Sequence, residues 1–354
     1  MIKLLIVDDS ALMRRQLAKL FESEGDFQIS LARNGAEAVR ENLEFEPDVL
    51  TLDINMPEMD GLTALAEIMA SRPVPVVMVS SLTERGALAT FEALALGAVD
   101  YLAKPDGTIS LSLQEIGGEL IRKVRQAARS KIKRAPSGAR KFERPAPAPK
   151  TASGRTPRQA VGDGLVLVGV STGGPRTLED ILPKLPADYP WPILVAQHMP
   201  ATFTLPFANR MNDMCELRVV EASKPMMLEP GTVYIGKGGA DMVVTSRSGQ
   251  LGVMARPENN QFLWHPSVEL LGRSALEHCP ANKIIGVMLT GMGHDGADAF
   301  ANIKKQGGRT IAESQESAVV FGMPCELIER AGATVVITAD KVAAQLIAWS
   351  ERPL

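Results

Sequence analysis

The sequence has no apolar run near the roughly 18 residues that a membrane-spanning helix requires. Its opening stretch, MIKLLIVDDS, meets Asp8 and Asp9 too soon to hold the apolar core of a signal peptide. Membrane insertion is therefore not expected, and a cytoplasmic location is. Cysteine is scarce: Cys215, Cys279 and Cys325 are odd in number, far apart and without C-x-x-C pairing. That argues against a disulfide framework or a thiolate zinc site and leaves reduced core residues as the expectation. Positive charge is not in excess. Lys and Arg total 38 against 41 Asp and Glu, a formal net charge of −3, so there is no electrostatic footprint for nucleic acid. The one basic stretch, Lys131–Arg158, is rich in proline and short of apolar residues.

What is present suffices for two cores, since 45% of the 354 residues are hydrophobic. The expected division is a first domain at residues 1–129, a linker at 130–162 and a second domain at 163–354. In the first, apolar runs at Leu4–Val7, Phe27–Leu31, Val49–Leu52, Val76–Val79 and Ala98–Leu102 alternate with amphipathic stretches. Five strand–helix units imply a parallel sheet. Such sheets bind ligands beyond the carboxyl ends of their strands, and the polar residues gather there: Asp8 and Asp9, then Asp53, Ser80 and Lys104. Three carboxylates converging in a dry cleft repel one another, so a divalent cation is their natural neutraliser, and hard oxygen ligands suit magnesium. With Lys104 as a further cation, the site favours in-line attack of a carboxylate on a phosphoryl donor. Each carboxylate alone would pass as a helix cap; their joint placement argues against that.

These residues resemble the receiver domain of bacterial two-component response regulators: VDDS, the strand ending in LDINMPEMDG, Ser80 after VVMV, and YLAKP. The resemblance covers about the first 125 residues and implies a flavodoxin-like (βα)5 fold. By position it implies that Asp53 accepts phosphate from a sensor histidine kinase, and that Asp8 and Asp9 hold Mg2+ with Asp53 and the Asn55 carbonyl. It makes Ser80 the switch hydroxyl, Lys104 the phosphate-pairing lysine, and the Lys104–Pro105 bond cis. The stretch that follows, SKIKRAPSGARKFERPAPAPKTASGRTPRQAVG, has no hydrophobic period to bury and reads as a mobile linker.

After Asp163 strand candidates recur at Leu165–Val170, Ile193–Gln197, Val233–Ile235, Ile284–Leu289 and Thr310–Ala312, which implies a second α/β domain. Its first run leads into GVSTGGP, residues 169–175, where Ser171 stands among glycines in a G-x-S-x-G pattern. Small neighbours let the chain turn sharply and leave a serine oxygen exposed. Ser171 could equally be only the cap of a helix that opens with Pro175. A Walker-type phosphate loop would need a lysine that is missing here. A hydroxyl nucleophile needs a base, and the base an orienting group. His198 follows PILVAQ and Asp295 lies in the loop of IIGVMLTGMGHDG, both at strand ends. The order Ser…His…Asp differs from the Ser…Asp…His of α/β-hydrolases. Of four histidines, His265 and His278 read as surface or packing residues. His294 competes with His198, but neighbours in a turn point apart, so it should not pair with Asp295; a metal site from His198, His294 and Asp295 lacks close ligand spacing.

Together GVSTGGP, QHMP, TGMGHDGAD and ESQESAVVFGMP resemble the catalytic domain of the chemotaxis protein-glutamate methylesterases, from about Leu165 to the C-terminus. The expected fold is a doubly wound α/β domain with a mostly parallel sheet. The resemblance makes Ser171 the nucleophile, His198 the base and Asp295 its orienter, with Thr172 and Met292 lining the site and no cofactor for the esterase. Its substrates are glutamyl methyl esters on methyl-accepting chemotaxis receptors; glutamine deamidation and relief of inhibition by receiver phosphorylation are also implied. The chain departs from the family where Trp264, His265, Pro266, Ser267, Val268 and Glu269 replace a usual His-Arg-Pro-Ser-Val-Asp, where no histidine lies near Asp241, and where Lys237 in YIGKGG replaces an Ala-Pro pair. A DNA-binding output would require a basic recognition helix, which residues 164–354 lack. A purely structural module would leave Ser171, His198 and Asp295 at three strand ends by coincidence.

Overall fold

In the computed structural model the apolar runs become strands and the amphipathic stretches helices, in two compact units, Met1–Gly138 and Ala139–Leu354. The structure describes residues 1–81, 83–104, 109–130 and 164–351, with no description of the side chains at 80–81, 84–85, 109–115 and 351. The stretch read as a linker, apart from Ser130, and the Lys104–Pro105 bond lie outside the described residues.

The first unit runs β1 (Ile2–Val7), α1 (Ala11–Glu22), β2 (Phe27–Ala32), α2 (Gly35–Glu44), β3 (Val49–Asp53), α3 (Gly61–Ser71), β4 (Val76–Ser81), α4 (Glu84–Leu96), β5 (Asp100–Lys104) and α5 (Ile109–Arg129). The sheet is parallel throughout, in the order β2-β1-β3-β4-β5. Its middle strands read as unbroken apolar runs because helices cover both faces: Leu4, Leu5, Ile6, Leu50, Leu52, Val76 and Val77 are fully buried. Register then aligns the strand ends, with Val7 opposite Leu52 and Asp53 opposite Val79. The order reverses between β1 and β3, and Asp8 and Asp53 stand at that crevice.

The second unit runs β6 (Leu165–Val170), α6 (Gly174–Ile181), β7 (Ile193–Gln197), α7 (Ala201–Met214), β8 (Arg218–Ala222), β9 (Met226–Met227), β10 (Thr232–Gly236), β11 (Asp241–Arg247), β12 (Gln250–Arg256), α8 (Val268–His278), β13 (Ile284–Met288), α9 (Ala297–Lys305), β14 (Arg309–Glu313), α10 (Met323–Glu329), β15 (Val335–Ile337) and α11 (Ala339–Glu351). Seven parallel strands are ordered β15-β14-β13-β6-β7-β10-β8. The chain lays strands to one side of β6, then returns to lay β13, β14 and β15 on the other. Ser171, one residue past β6, therefore sits at the reversal point. Leu165, Val166, Leu167 and Val170 are fully buried, each worth roughly 1.5–3 kcal/mol over an exposed position.

Three features differ from the expectation. The edge strands β8 and β15 join the sheet, and β11, β12 and β9 form a separate antiparallel sheet. Their residues alternate or run short, so they lack the continuous apolar signature of buried parallel strands. Ser171 does not cap α6. The cap is Gly173, at φ 77°, and Pro175 sits in the first turn. Cys215 and Cys279 are buried, but Cys325 on α10 is only partly so, its thiol turned to Glu329 Oε1 at 3.5 Å.

Candidate functional site

In the first unit β1, β3 and β5 bring Asp8, Asp53 and Lys104 together. Lys104 Nζ lies 2.9 Å from Asp8 Oδ2 and 2.8 Å from Asp53 Oδ2. Oxygens of Asp8, Asp9 and Asp53 all fall within 4.8 Å of one another, Asp8 and Asp53 buried and Asp9 exposed. None of the three caps a helix; Ser10 caps α1 and Asp60 caps α3. Burial pushes the Asp53 carboxyl up, Lys104 offsets part of this, and Asp8 adds to it. Burial opposes the charge of Lys104 too, but two carboxylates outweigh it and its pKa rises. One ammonium among three carboxylates leaves an excess of negative charge in a recess of oxygen ligands, which suits a hard divalent cation. Asn55 follows in the loop after β3, exposed. Ser80 is the fifth residue of β4, paired with Ala103, and its side chain lies outside the description. A close approach fixes the loop after β3: a Cβ at Gly61 would lie 2.0 Å from the Asp53 carbonyl oxygen.

The second unit assembles its site from three strand ends. Val170 and Gln197 are partners in the β6–β7 register, so Ser171 and His198 occupy the next positions of adjacent strands. The His198 amide donates to the Val170 carbonyl at 3.1 Å, and the Ser171 amide to the Thr290 carbonyl at 3.0 Å. Gln197 Nε2 braces the pair, donating to the carbonyls of Ser171 and His198 at 3.0 Å each. Two glycines make the convergence sterically allowed. A Cβ at Gly169 would meet Val268 at 2.4 Å, and one at Gly296, φ 85°, would meet it at 2.2 Å. The start of α8 is thereby wedged between the serine strand and the Asp295 loop.

Asp295 is buried and accepts four hydrogen bonds. Oδ1 takes the Ser267 hydroxyl and the Glu269 amide, each at 3.0 Å; Oδ2 takes the Val268 amide at 2.7 Å and His198 Nε2 at 2.9 Å. Burial alone would raise its pKa, but the bonds from His198 and the α8 amides outweigh it and hold the carboxyl below its usual 3.8. A carboxylate at Oδ2 assigns the ring proton to Nε2. The other ring nitrogen, Nδ1, is buried and has no hydrogen-bond partner among the described residues, the Ser171 hydroxyl included. It is therefore the free basic atom of the site.

His294 is exposed and Asp295 buried, so these neighbours do point apart. Among the described residues, His198, His294 and Asp295 form no metal-ligand cluster. Thr172 is buried and its carbonyl accepts the Thr290 hydroxyl at 2.9 Å; Met292 is half-buried in the loop after β13. His278 is exposed, but His265 is no surface residue: its Nδ1 lies 2.8 Å from Oδ1 of the fully buried Asp241. Lys237 is exposed immediately after β10. Glu313, to which the motifs assign no role, is fully buried at the end of β14 and accepts the Thr290 amide at 2.8 Å and the Ser317 hydroxyl at 2.7 Å. A carboxylate closing an apolar run was the available signal. Trp264, in sequence only a departure from the family, has its indole offset-parallel to the His198 ring, with centroids 5.7 Å apart and planes 7° from parallel.

Comparison with known proteins agrees with both halves. Residues 4–112 match the family model for the response regulator receiver domain, and residues 166–346 match that for CheB methylesterase. The chain is similar to a protein-glutamate methylesterase/protein-glutamine glutaminase of Rhodospirillum rubrum, 54% identical over 99% of this chain and 97% of that one. It is similar to another of Caldanaerobacter subterraneus, 48% identical over 96% of this chain and 94% of that one. Among solved structures, the CheB methylesterase catalytic domain of Thermotoga maritima aligns with a TM-score of 0.50 and 38% identity, over 52% of this chain and 97% of that domain. With both domains matched and relatives of this identity aligned along nearly its whole length, the chain belongs to the CheB methylesterase family.

Proposed function

We propose that the chain is a phosphorylation-controlled protein-glutamate methylesterase acting on methyl-accepting chemotaxis receptors. The observation that carries the catalytic half is the His198 ring, held at Nε2 by an ionised Asp295 with Nδ1 free, at the position across from Ser171 on the neighbouring strand end. Ser171 Oγ adds to the carbonyl of a glutamyl methyl ester while its proton passes to His198 Nδ1. The bond to the methoxy oxygen then breaks and Nδ1 returns the proton, releasing methanol. Water attacks the acyl-serine, its proton passes to Nδ1, and Ser171 leaves with that proton, freeing the glutamate. Asp295 fixes the tautomer and stabilises the imidazolium formed in each half. The turn that leads into α6 supplies the oxyanion donors, worth typically about 2.7–4 kcal/mol each, because the Gly174 amide is spent on the Ser171 carbonyl at 2.8 Å and Pro175 has no N–H. Deamidation of receptor glutamines follows the same route with ammonia as the leaving group, in keeping with the names of the relatives. Thr172 and Met292 line this site.

In the receiver half, Asp53 takes a phosphoryl group from a chemotaxis-type sensor histidine kinase. Asp8, Asp9, Asp53 and the Asn55 carbonyl are the residues to hold Mg2+, which when bound neutralises charge on the phosphoryl oxygens. Lys104, already in contact with two of these carboxylates, pairs with the phosphoryl group and moves from Asp53 toward it. Ser80 answers as the switch hydroxyl, and the changed charge shifts a conformational equilibrium toward the active esterase. The division into residues 1–129, 130–162 and 163–354 fits this scheme as switch, tether and enzyme. The test is methanol release from methylated receptor membranes, with and without a small phosphodonor. Wild type should release methanol faster with the phosphodonor and Ser171→Ala should release none. Equal release by both proteins would overturn the proposal.

A further inference from the structure

A single hydrogen bond does not fix the plane of a ring. Among the described residues the His198 ring has one, from Nε2 to Asp295, and about that axis the imidazole could swing and redirect Nδ1. Its face is what is held. Trp264 lies parallel to it and offset, with centroids 5.7 Å apart and planes 7° from parallel, and meets His294 edge-on with centroids 5.5 Å apart and planes at 85°. The far edge of the indole fits where a Cβ is missing: one added at Gly293, φ 83°, would lie 2.7 Å from Trp264 Cη2 and Cζ2. The ring is thus bounded on three sides.

The segment carrying the indole is tied down at both ends by one carboxylate. Asp241 accepts the Asn259 amide on Oδ2 at 3.0 Å, and on Oδ1 His265 Nδ1 at 2.8 Å and the Ser267 amide at 2.9 Å. A second carboxylate, Asp295, takes over from Ser267 through Glu269. The run of residues 265–269 is strung between two buried anions, with Trp264 at its head. Phe262 on the same loop packs under the Arg273 guanidinium, 5.9 Å from the ring centroid.

We propose that Trp264 is a positioning residue, whose indole sets the plane of His198 for proton transfer from the Ser171 hydroxyl to Nδ1, and that Asp241 and His265 hold it there. The inference rests on the esterase reading above. It gives the departures at 241, 264 and 265 one joint purpose, because Asp241 and His265 form a complementary pair whose product is the placement of Trp264.

The experiment uses the full chain with methylated receptor membranes and a phosphodonor, comparing wild type, Trp264→Phe and Trp264→Leu. Trp264→Leu keeps an apolar cover but no flat face. Its kcat should fall about 10- to 100-fold, the scale for a misplaced catalytic group, with KM within about twofold, and Trp264→Phe should recover most of the loss. A second readout needs no substrate. With the histidines isotope-labelled, the His198 ring protons should carry an indole ring-current shift in wild type and lose it in Trp264→Leu. Unchanged kcat, a rise in KM alone, or His198 resonances indifferent to Trp264 would each overturn the proposal. Absence of methanol release from wild type would count against the esterase reading instead, and the resonance comparison would still decide whether the stack exists.

Discussion

Replacing Asp295 by Asn would keep the shape of the side chain and remove the charge that four donors share. In the native structure every one of those donors, the Ser267 hydroxyl, the Val268 and Glu269 amides and His198 Nε2, points at a carboxylate oxygen. An amide can accept on one side only. If its NH2 takes the Oδ2 position it faces Val268 and His198 with donor against donor, and the imidazole reverses its tautomer to put a proton on Nδ1. That atom could then no longer take one from Ser171. The matching change in serine-protease triads costs about 10^4 in kcat for this reason, and we expect a loss of the same order here. Stability should fall too. Hydrogen bonds to charged groups contribute about 1.5–3 kcal/mol each, and weakening or reversing two of them amounts to roughly 2–5 kcal/mol, or roughly 4–20 °C in Tm for a unit of this size. The pH sign is fixed by the native carboxyl lying below the usual 3.8. Its contribution is present above 3.8 and is lost as the pH falls through the depressed native value, so the gap in Tm between wild type and Asp295→Asn should narrow only in that acid range. Methanol release and thermal melts from pH 7 down to about 3 measure both effects. A kcat loss under tenfold, or identical melts at neutral pH, would refute the reasoning.

Two further outcomes concern the receiver. Asp53 has its carboxyl pushed up by burial against Asp8 despite Lys104, so its ionised form opposes folding at neutral pH. Asp53→Asn leaves Lys104 paired with Asp8 at 2.9 Å and should raise the receiver Tm by a few degrees at pH 7, at about 2–8 °C per kcal/mol; the gain should shrink as the pH falls through the raised value, and a lower Tm at pH 7 would contradict this. Chelation of divalent cations should abolish phosphodonor-stimulated methanol release and leave the unstimulated rate unchanged, because the carboxylates that gather with metal-ligand spacing, Asp8, Asp9 and Asp53, belong to the receiver.

The strands that carry chemistry were legible because they are buried on both faces and end abruptly in a polar residue. The ranges of β6 and β7 were read in full from LVLVGV and ILVAQ, and parallel register then makes neighbours of whatever follows. This is why Asp8, Asp53 and Lys104, and separately Ser171, His198 and Asp295, could be grouped before any coordinates. The edge strand Arg218–Ala222 mixes charged and apolar residues because part of it meets water, and it lacked that signature. Which atom of His198 is free was not legible, since it depends on how α8 meets the Asp295 loop. Nor was the partnership of Asp241 with His265, 24 positions apart: the contact arises from the return of an antiparallel hairpin, and no periodicity in the sequence marks it. Ser171 looked like a cap because helix caps and sharp strand-to-helix turns draw on the same small residues; the structure puts the cap at the left-handed Gly173 instead.

The 97-residue separation between His198 and Asp295 has a consequence for synthesis. At about 5–20 residues per second on the ribosome, His198 is made roughly 5–20 seconds before its carboxylate exists, and Ser171 earlier still. During that interval the histidine has no anion to set its tautomer and the β6 edge still awaits β13. The receiver carboxylates and Lys104 are by then long complete. A nascent chain therefore acquires its capacity to be switched before it has anything to switch, and the esterase becomes competent only when the last third of the polypeptide has emerged.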